Sequence, residues 1–161
     1  MPEHDYSEPG AYFITIVVQG RACLFADLRF ERCAEEAWTW LATRYANVEL
    51  DEFVIMPNHL HGVISLTDAG AGGSRAAPTE GKGRKPIGGL IGAFKTRATK
   101  SMNVLRGTPS SIVWQRNYYE RLIRTEKELQ DVRGYILSNP AQWPDDPENP
   151  NRCDRAPVGT R

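Results

Sequence analysis

Met56-Pro57-Asn58-His59-Leu60-His61-Gly62-Val63-Ile64 is the stretch on which the reading of this chain turns. It holds two of the protein's three histidines, one residue apart, in a run that otherwise has the apolar character of a buried β-strand. Side chains alternate along a strand, so His59 and His61 project to one face with Cα atoms roughly 6.5–7 Å apart, within reach of a single metal ion. Val63 and Ser65 stand with them, while Leu60, Ile64 and Leu66 take the opposite, core-facing side. Taken alone, such a pair is most simply two imidazoles making ordinary hydrogen bonds at a strand edge. The sequence around it has to decide.

Working outward, Pro57-Asn58 is a tight-turn signal, which makes the histidine strand the second arm of an antiparallel hairpin. The first arm runs from Val48 to Met56. Its first half alternates, and its second half, Phe53-Val54-Ile55-Met56, is apolar throughout, the pattern of an inner strand covered on both faces. An earlier strand is predicted over Tyr12-Phe13-Ile14-Thr15-Ile16-Val17-Val18, aromatic and β-branched between Gly10 and Gly20. Between these strands, Phe30, Ala34, Ala37, Trp38, Leu41 and Tyr45 recur at helical spacing over residues 28–45.

Beyond the hairpin, Thr67 to Lys85 consists of Gly, Ala, Ser, Pro and charged residues without periodicity and predicts a flexible surface loop. A helix is expected from Ile87 to Leu105, with Ile87, Leu90, Ile91, Phe94, Ala98 and Leu105 inward, Lys95 and Lys100 outward, and Gly88 and Gly89 weakening its first turn. Residues 112–116 and 119–124 read as two short extended pieces. Thr125 with Glu128 forms a capping box for a last helix, striped by Leu129, Val132 and Tyr135 or Ile136 and stopped by Pro140. Residues 1–10 are then a leader and 144–161 an irregular tail, leaving a single domain over 11–143. The order predicts an α+β, ferredoxin-like sandwich: one antiparallel sheet with helices mainly on one face.

At 161 residues the chain is one domain with room for a proper core. No apolar run approaches the ~20 residues of a membrane span, and Glu3, His4 and Asp5 are unlike a signal peptide, so a cytoplasmic protein is expected. Cys23, Cys33 and Cys153, odd in number and scattered, suit reduced thiols rather than a disulfide framework or a zinc knuckle. Net charge is zero, yet Lys82, Arg84, Lys85, Lys95, Arg97, Lys100, Arg106, Arg116, Arg121, Arg124 and Lys127 are opposed over 82–127 only by Glu120 and Glu126. A polyanion would be steered to that segment. Lys95, Arg97, Lys100, Arg116, Arg121 and Arg124 are the candidates for phosphate contacts.

Near the end, Gly134-Tyr135-Ile136-Leu137-Ser138-Asn139-Pro140 supplies further groups. Tyr135 and Asn139, four apart, share a helix face. The Asn139 amide oxygen could serve as a third, hard oxygen ligand beside the two imidazoles, leaving positions open for water and a phosphate. A phenol is a poor nucleophile at neutral pH, but a divalent metal on the phosphate withdraws charge from phosphorus and lowers the barrier. The set suffices for in-line attack by Tyr135 on a phosphodiester. On chemistry alone Tyr118 and Tyr119 are rivals, and Tyr135 is preferred for its partner at i+4. Trp114, Tyr118 and Tyr119 either pack on the sheet or stack on unpaired bases, with packing favoured for Trp114.

Five blocks in order, spanning residue 11 to about 150, carry a resemblance: Leu50 to Gly62 around the histidines, Gly92-Ala93-Phe94-Lys95-Thr96, Arg106-Gly107-Thr108-Pro109, Val113-Trp114-Gln115-Arg116-Asn117-Tyr118-Tyr119-Glu120, and Tyr135 with Asn139-Pro140. The chain resembles the REP-associated tyrosine transposases, within the single-tyrosine HUH nucleases and transposases. The resemblance implies that His59, His61 and Asn139 bind Mg²⁺ or Mn²⁺ and that Tyr135 is the nucleophile. It further implies attack on single-stranded DNA to leave a 5′-phosphotyrosine and a free 3′-OH, hairpin-forming repetitive extragenic palindromes as partners, and a monomer or homodimer. A non-catalytic nucleic-acid-binding module of the same fold is the alternative. A structural metal site is disfavoured, since no cysteine is near enough in sequence to close a zinc site.

Overall fold

The computed structural model describes residues 9–68 and 86–145. The expected leader, loop and tail lie outside them, apart from two residues of each. Seven principal elements follow one another: β1 (Gly10–Val17), α1 (Leu28–Arg44), β2 (Val48–Met56), β3 (His59–Leu66), α2 (Ile87–Arg106), β4 (Tyr119–Ile123) and α3 (Glu126–Gln142). The strands form one antiparallel sheet in the order β2-β3-β1-β4, giving the expected α+β, ferredoxin-like sandwich. No helix among the described residues is long and apolar enough to cross a membrane. Cys23 and Cys33 are free thiols.

The caps show why the helices begin and end where they do. The Asp27 side chain accepts from the Arg29 N–H to open α1, and Gly107, at φ 64°, closes α2 in the left-handed conformation that glycine adopts without strain. At α3 the Thr125 hydroxyl accepts from the Glu128 N–H, while the Glu128 carboxylate accepts from the Arg124 N–H, one residue before the usual partner of a capping box.

Two cores lie on opposite faces of the sheet. On one, Tyr12, Ile14 and Ile16 of β1 and Leu60 and Ile64 of β3 pack beneath Trp38 and Leu41 of α1 and Leu90, Ile91 and Phe94 of α2. Trp114 is buried in this layer between Phe25 and Phe94, as its preference for packing predicted. On the other face, Val63, Ile123, Phe13 and Val54 meet Leu129, Val132 and Ile136 of α3. The apolar stripe of α3 thus takes Ile136, and Tyr135 is left 46% exposed.

Gly62 explains how close the first layer can come. A Cβ there would stand 2.5 Å from Cζ2 of Trp38 and 3.1 Å from Cβ of Phe53. Only a bare backbone lets the indole lie on the strand directly behind the histidines.

Four expectations need correction. The Phe53–Met56 run belongs to an edge strand rather than an inner one. It is apolar because both faces are nonetheless covered, Phe53 and Ile55 by the first core and Val54 by the second. A bulge between Leu50 and Phe53 makes this possible, since Leu50 pairs with Ile64 and Phe53 with Gly62, so one extra residue restores the apolar phase. Leu105 is half exposed, and Met102 fills the inward position instead. Residues 112–116 contribute a single bridge, Trp114 to Val18, rather than a strand.

Finally, α3 runs through Pro140 to Gln142 and on into a 3₁₀ turn over Trp143–Asp145. Proline so near a helix end forfeits only one ladder bond, that to the Ile136 carbonyl. The Asn139 side-chain amide donates to the Tyr135 carbonyl at 2.8 Å, and the Trp143 N–H to the Pro140 carbonyl.

Candidate functional site

The face of β3 under α3 carries His59 and His61, both buried, with ring centroids 4.6 Å apart. Their shared direction follows from strand alternation, and the hairpin turn before His59 sets their height on the sheet. From α3, Tyr135 brings its ring to 5.2 Å from that of His61, and one turn later the buried Asn139 shares its face. Trp143 lies at 6.1 Å from His59. Phe13 of β1 stacks on His61 at 5.5 Å and meets Tyr135 edge-on at 6.2 Å, so the phenol leans on an apolar support while remaining half exposed.

Each imidazole is oriented by a partner. The Asn58 amide nitrogen donates to the Arg21 carbonyl at 3.2 Å, which turns its oxygen to Nδ1 of His59 at 2.8 Å. Nδ1 of His59 therefore donates to that oxygen, which leaves Nε2 as the nitrogen that could face a metal. The Thr15 hydroxyl lies 2.8 Å from Nδ1 of His61. Burial and the neighbouring His59 push the His61 pKa down to about 3, so this ring is neutral at physiological pH. Hydrogen bonds of this kind fix the orientation of metal-binding histidines.

Whether these residues suit a divalent cation can be judged from the donors. Two imidazoles are available, and because the Asn139 nitrogen is committed to the Tyr135 carbonyl, its oxygen is the end left for other contacts. Two nitrogens and an amide oxygen fit such an ion with positions to spare. Among the described residues no three His, Cys, Asp or Glu side chains gather into a metal cluster.

α3 is tied to the far edge of the sheet by Arg133, two residues before Tyr135. Its guanidinium grips both oxygens of Asp51, in the β2 bulge, at 2.8 and 2.7 Å. These hydrogen bonds hold the Asp51 carboxyl below the usual carboxylate range. Such a bidentate pair fixes an angle as well as a distance.

The remaining sequence candidates divide between the faces. Tyr118 donates from its hydroxyl to Glu120 at 2.6 Å and lies beside Gly88 of α2, across the sheet from the histidines. Tyr119 and Arg121 pair with Thr15 and Phe13 and share the histidine face, Arg121 standing 4.0 Å from Glu128. Arg124 and Arg116 are exposed at the two ends of that region. Lys95 is engaged elsewhere: its ammonium donates to the carbonyls of Gln115, Arg116 and Asn117 at 2.8, 3.3 and 3.4 Å, clamping the approach to β4. Arg97 stacks over Trp40 at 4.5 Å, and it and Lys100 lie in the helix layer behind the sheet. The basic segment is thus shared between two surfaces.

Sequence reading missed Thr15, Phe13, Asn58, Trp143 and the Asp51–Arg133 pair. Thr15 had a signal, being the one hydroxyl in the aliphatic run Ile14 to Val18. Asn58 was hidden by its equally good reading as a turn residue.

Comparison with known proteins bears on the family and the fold. No family model matches the chain. An uncharacterized protein of Haemophilus influenzae is 33% identical, over 91% of this chain and 88% of its own. Among solved structures, a REP-associated tyrosine transposase bound to a REP hairpin superposes with a TM-score of 0.61 at 19% identity, over 88% of this chain and 74% of that one. A transposase candidate from Deinococcus radiodurans aligns over 86% of this chain and 96% of its own at 14% identity, with a TM-score of 0.49. The chain belongs to one family with the Haemophilus influenzae protein, and its fold is that of the REP-associated tyrosine transposase.

Proposed function

We propose that this protein is a metal-dependent enzyme that nicks and rejoins single-stranded DNA through Tyr135, acting on hairpin-forming repetitive sequences. The observation that carries the reading is the meeting of a half-exposed phenol with two buried, oriented imidazoles on one face of the sheet. The shared fold with a transposase bound to a REP hairpin supports the choice of DNA.

In this reading His59, His61 and the Asn139 oxygen hold Mg²⁺ or Mn²⁺, which when bound polarises the scissile phosphate. Tyr135 attacks phosphorus in line; its oxygen–phosphorus bond forms as the bond to the 3′ oxygen breaks, and the phenolic proton is lost to solvent. The 3′ oxygen leaves as a hydroxyl, and the 5′ end stays on Tyr135. Attack by a 3′-OH on that linkage reverses the step and joins strands. Phe13 braces the phenol, Thr15 and Asn58 keep the imidazoles in place, and Arg116, Arg121 and Arg124 serve the DNA backbone. Lys95 contributes by fixing the loop that bears Arg116.

The test is incubation with a labelled DNA hairpin bearing single-stranded tails, with and without Mn²⁺, followed by a denaturing gel. The expected result is a metal-dependent protein–DNA adduct. Binding without any adduct would contradict the reading and favour a non-catalytic binding module.

A further inference from the structure

Three aromatic side chains precede or begin β4, and the structure gives them three different fates. Trp114 is buried, and Tyr118 is turned to the helix side with its hydroxyl on Glu120. Tyr119 alone faces the histidine side, and it is 50% exposed. Its neighbour across the sheet is Thr15, the partner of His61, and its ring meets Phe13 edge-on at 6.1 Å. Phe13 is the ring that also supports His61 and Tyr135. Tyr119 and Tyr135 therefore flank one phenylalanine, separated by no more than the two ring contacts together, a span that about one or two nucleotides of an extended strand bridge.

The half-exposed Tyr119 ring is held in position. β4 pairs with β1 at Tyr119 itself, and the three preceding carbonyls are clamped by Lys95. Arg121, two residues on, rises from the same face beside it. A rigid exposed ring beside a cation at strand spacing is the arrangement that holds an unpaired base by its face and the adjoining phosphate by charge.

We infer that Tyr119 is the stacking platform for an unpaired nucleobase adjacent to the phosphate presented to Tyr135, with Arg121 on that nucleotide's backbone. This rests on the DNA-nicking reading and adds a nucleotide subsite to it. Tyr119 is a positioning residue: it sets which phosphate in the tail reaches the phenol and takes no part in bond making.

The test uses the full chain in EDTA, so that no strand is cut, and a DNA hairpin with single-stranded tails in which 2-aminopurine replaces each tail base in turn. Fluorescence at one tail position should be quenched on binding by the wild type and by Tyr119→Phe. Tyr119→Leu should lose that quench and bind about tenfold more weakly. An abasic site at the same position should weaken the wild type to the same degree, a measurement that uses no variant, and should cost a Tyr119→Leu that still binds nothing more. If the DNA binds but the quench and affinity survive Tyr119→Leu, the platform is wrong and the nicking reading stands. If no variant binds the DNA, both fall.

Discussion

The two faces of β3 differ in what they bury. On the α1/α2 side, Leu60, Gly62 and Ile64 lie in an apolar layer with Trp38 pressed onto bare backbone. On the α3 side, one residue out of phase, His59 and His61 are buried with Asn58 and Asn139, under one helix that leaves Tyr135 in solvent. Buried polar groups cost stability unless their partners are in place, so the second face depends on the contacts that Asn58 and Thr15 make with the imidazoles. One strand thus divides its alternate residues between the packed core and the proposed metal site.

Changes on either face should therefore fail in different ways. The largest effect is expected from Tyr135→Phe, which removes the proposed nucleophile: covalent adduct should fall more than about a thousandfold while thermal stability and DNA affinity stay near wild type. Gly62→Ala attacks the packed face. The new methyl meets Trp38, and urea denaturation should show a loss of about 3 kcal/mol, the upper end for overpacking. Thr15→Val removes the partner of His61 while keeping shape, so Mn²⁺ affinity by calorimetry should drop about tenfold with little change in stability.

The smallest effect concerns the tie between the faces. The Asp51 carboxyl is held below its ordinary range by Arg133, so its contribution is complete above about pH 4, where an aspartate of the unfolded chain ionises, and is lost as pH falls through the lower folded value. Asp51→Asn should lower Tm by a few degrees at pH 7, with the gap to wild type closing in acid. A constant gap across that range would show that Asp51 is not held as an ion by Arg133.

Much of this division was legible in the sequence. Strand alternation put His59 and His61 on one side and Leu60 and Ile64 on the other, and the i+4 spacing of Tyr135 and Asn139 put that pair on one helix face. What could not be read were features set by tertiary packing. The bulge at Asp51 and Glu52 looks like plain alternation giving way to an apolar run, and its phase change is visible only against Ile64 and Gly62 of the partner strand. Likewise, Lys95 and Arg97 are ordinary surface cations by spacing. Only the fold shows one clamping the carbonyls before β4 and the other lying on Trp40. Pro140 stops a helix by local rules, yet α3 continues through it.

The most direct measurement is mass spectrometry of the tryptic peptides from the protein–DNA adduct formed in Mn²⁺. Cleavage after Arg116, Arg121 and Arg133 puts Tyr118 and Tyr119 on one peptide and Tyr135 on another. The account predicts a nucleotide phosphate on the peptide that begins at Gly134, located at Tyr135. A phosphate on the peptide of Tyr118 and Tyr119, or no linked peptide at all, would contradict it.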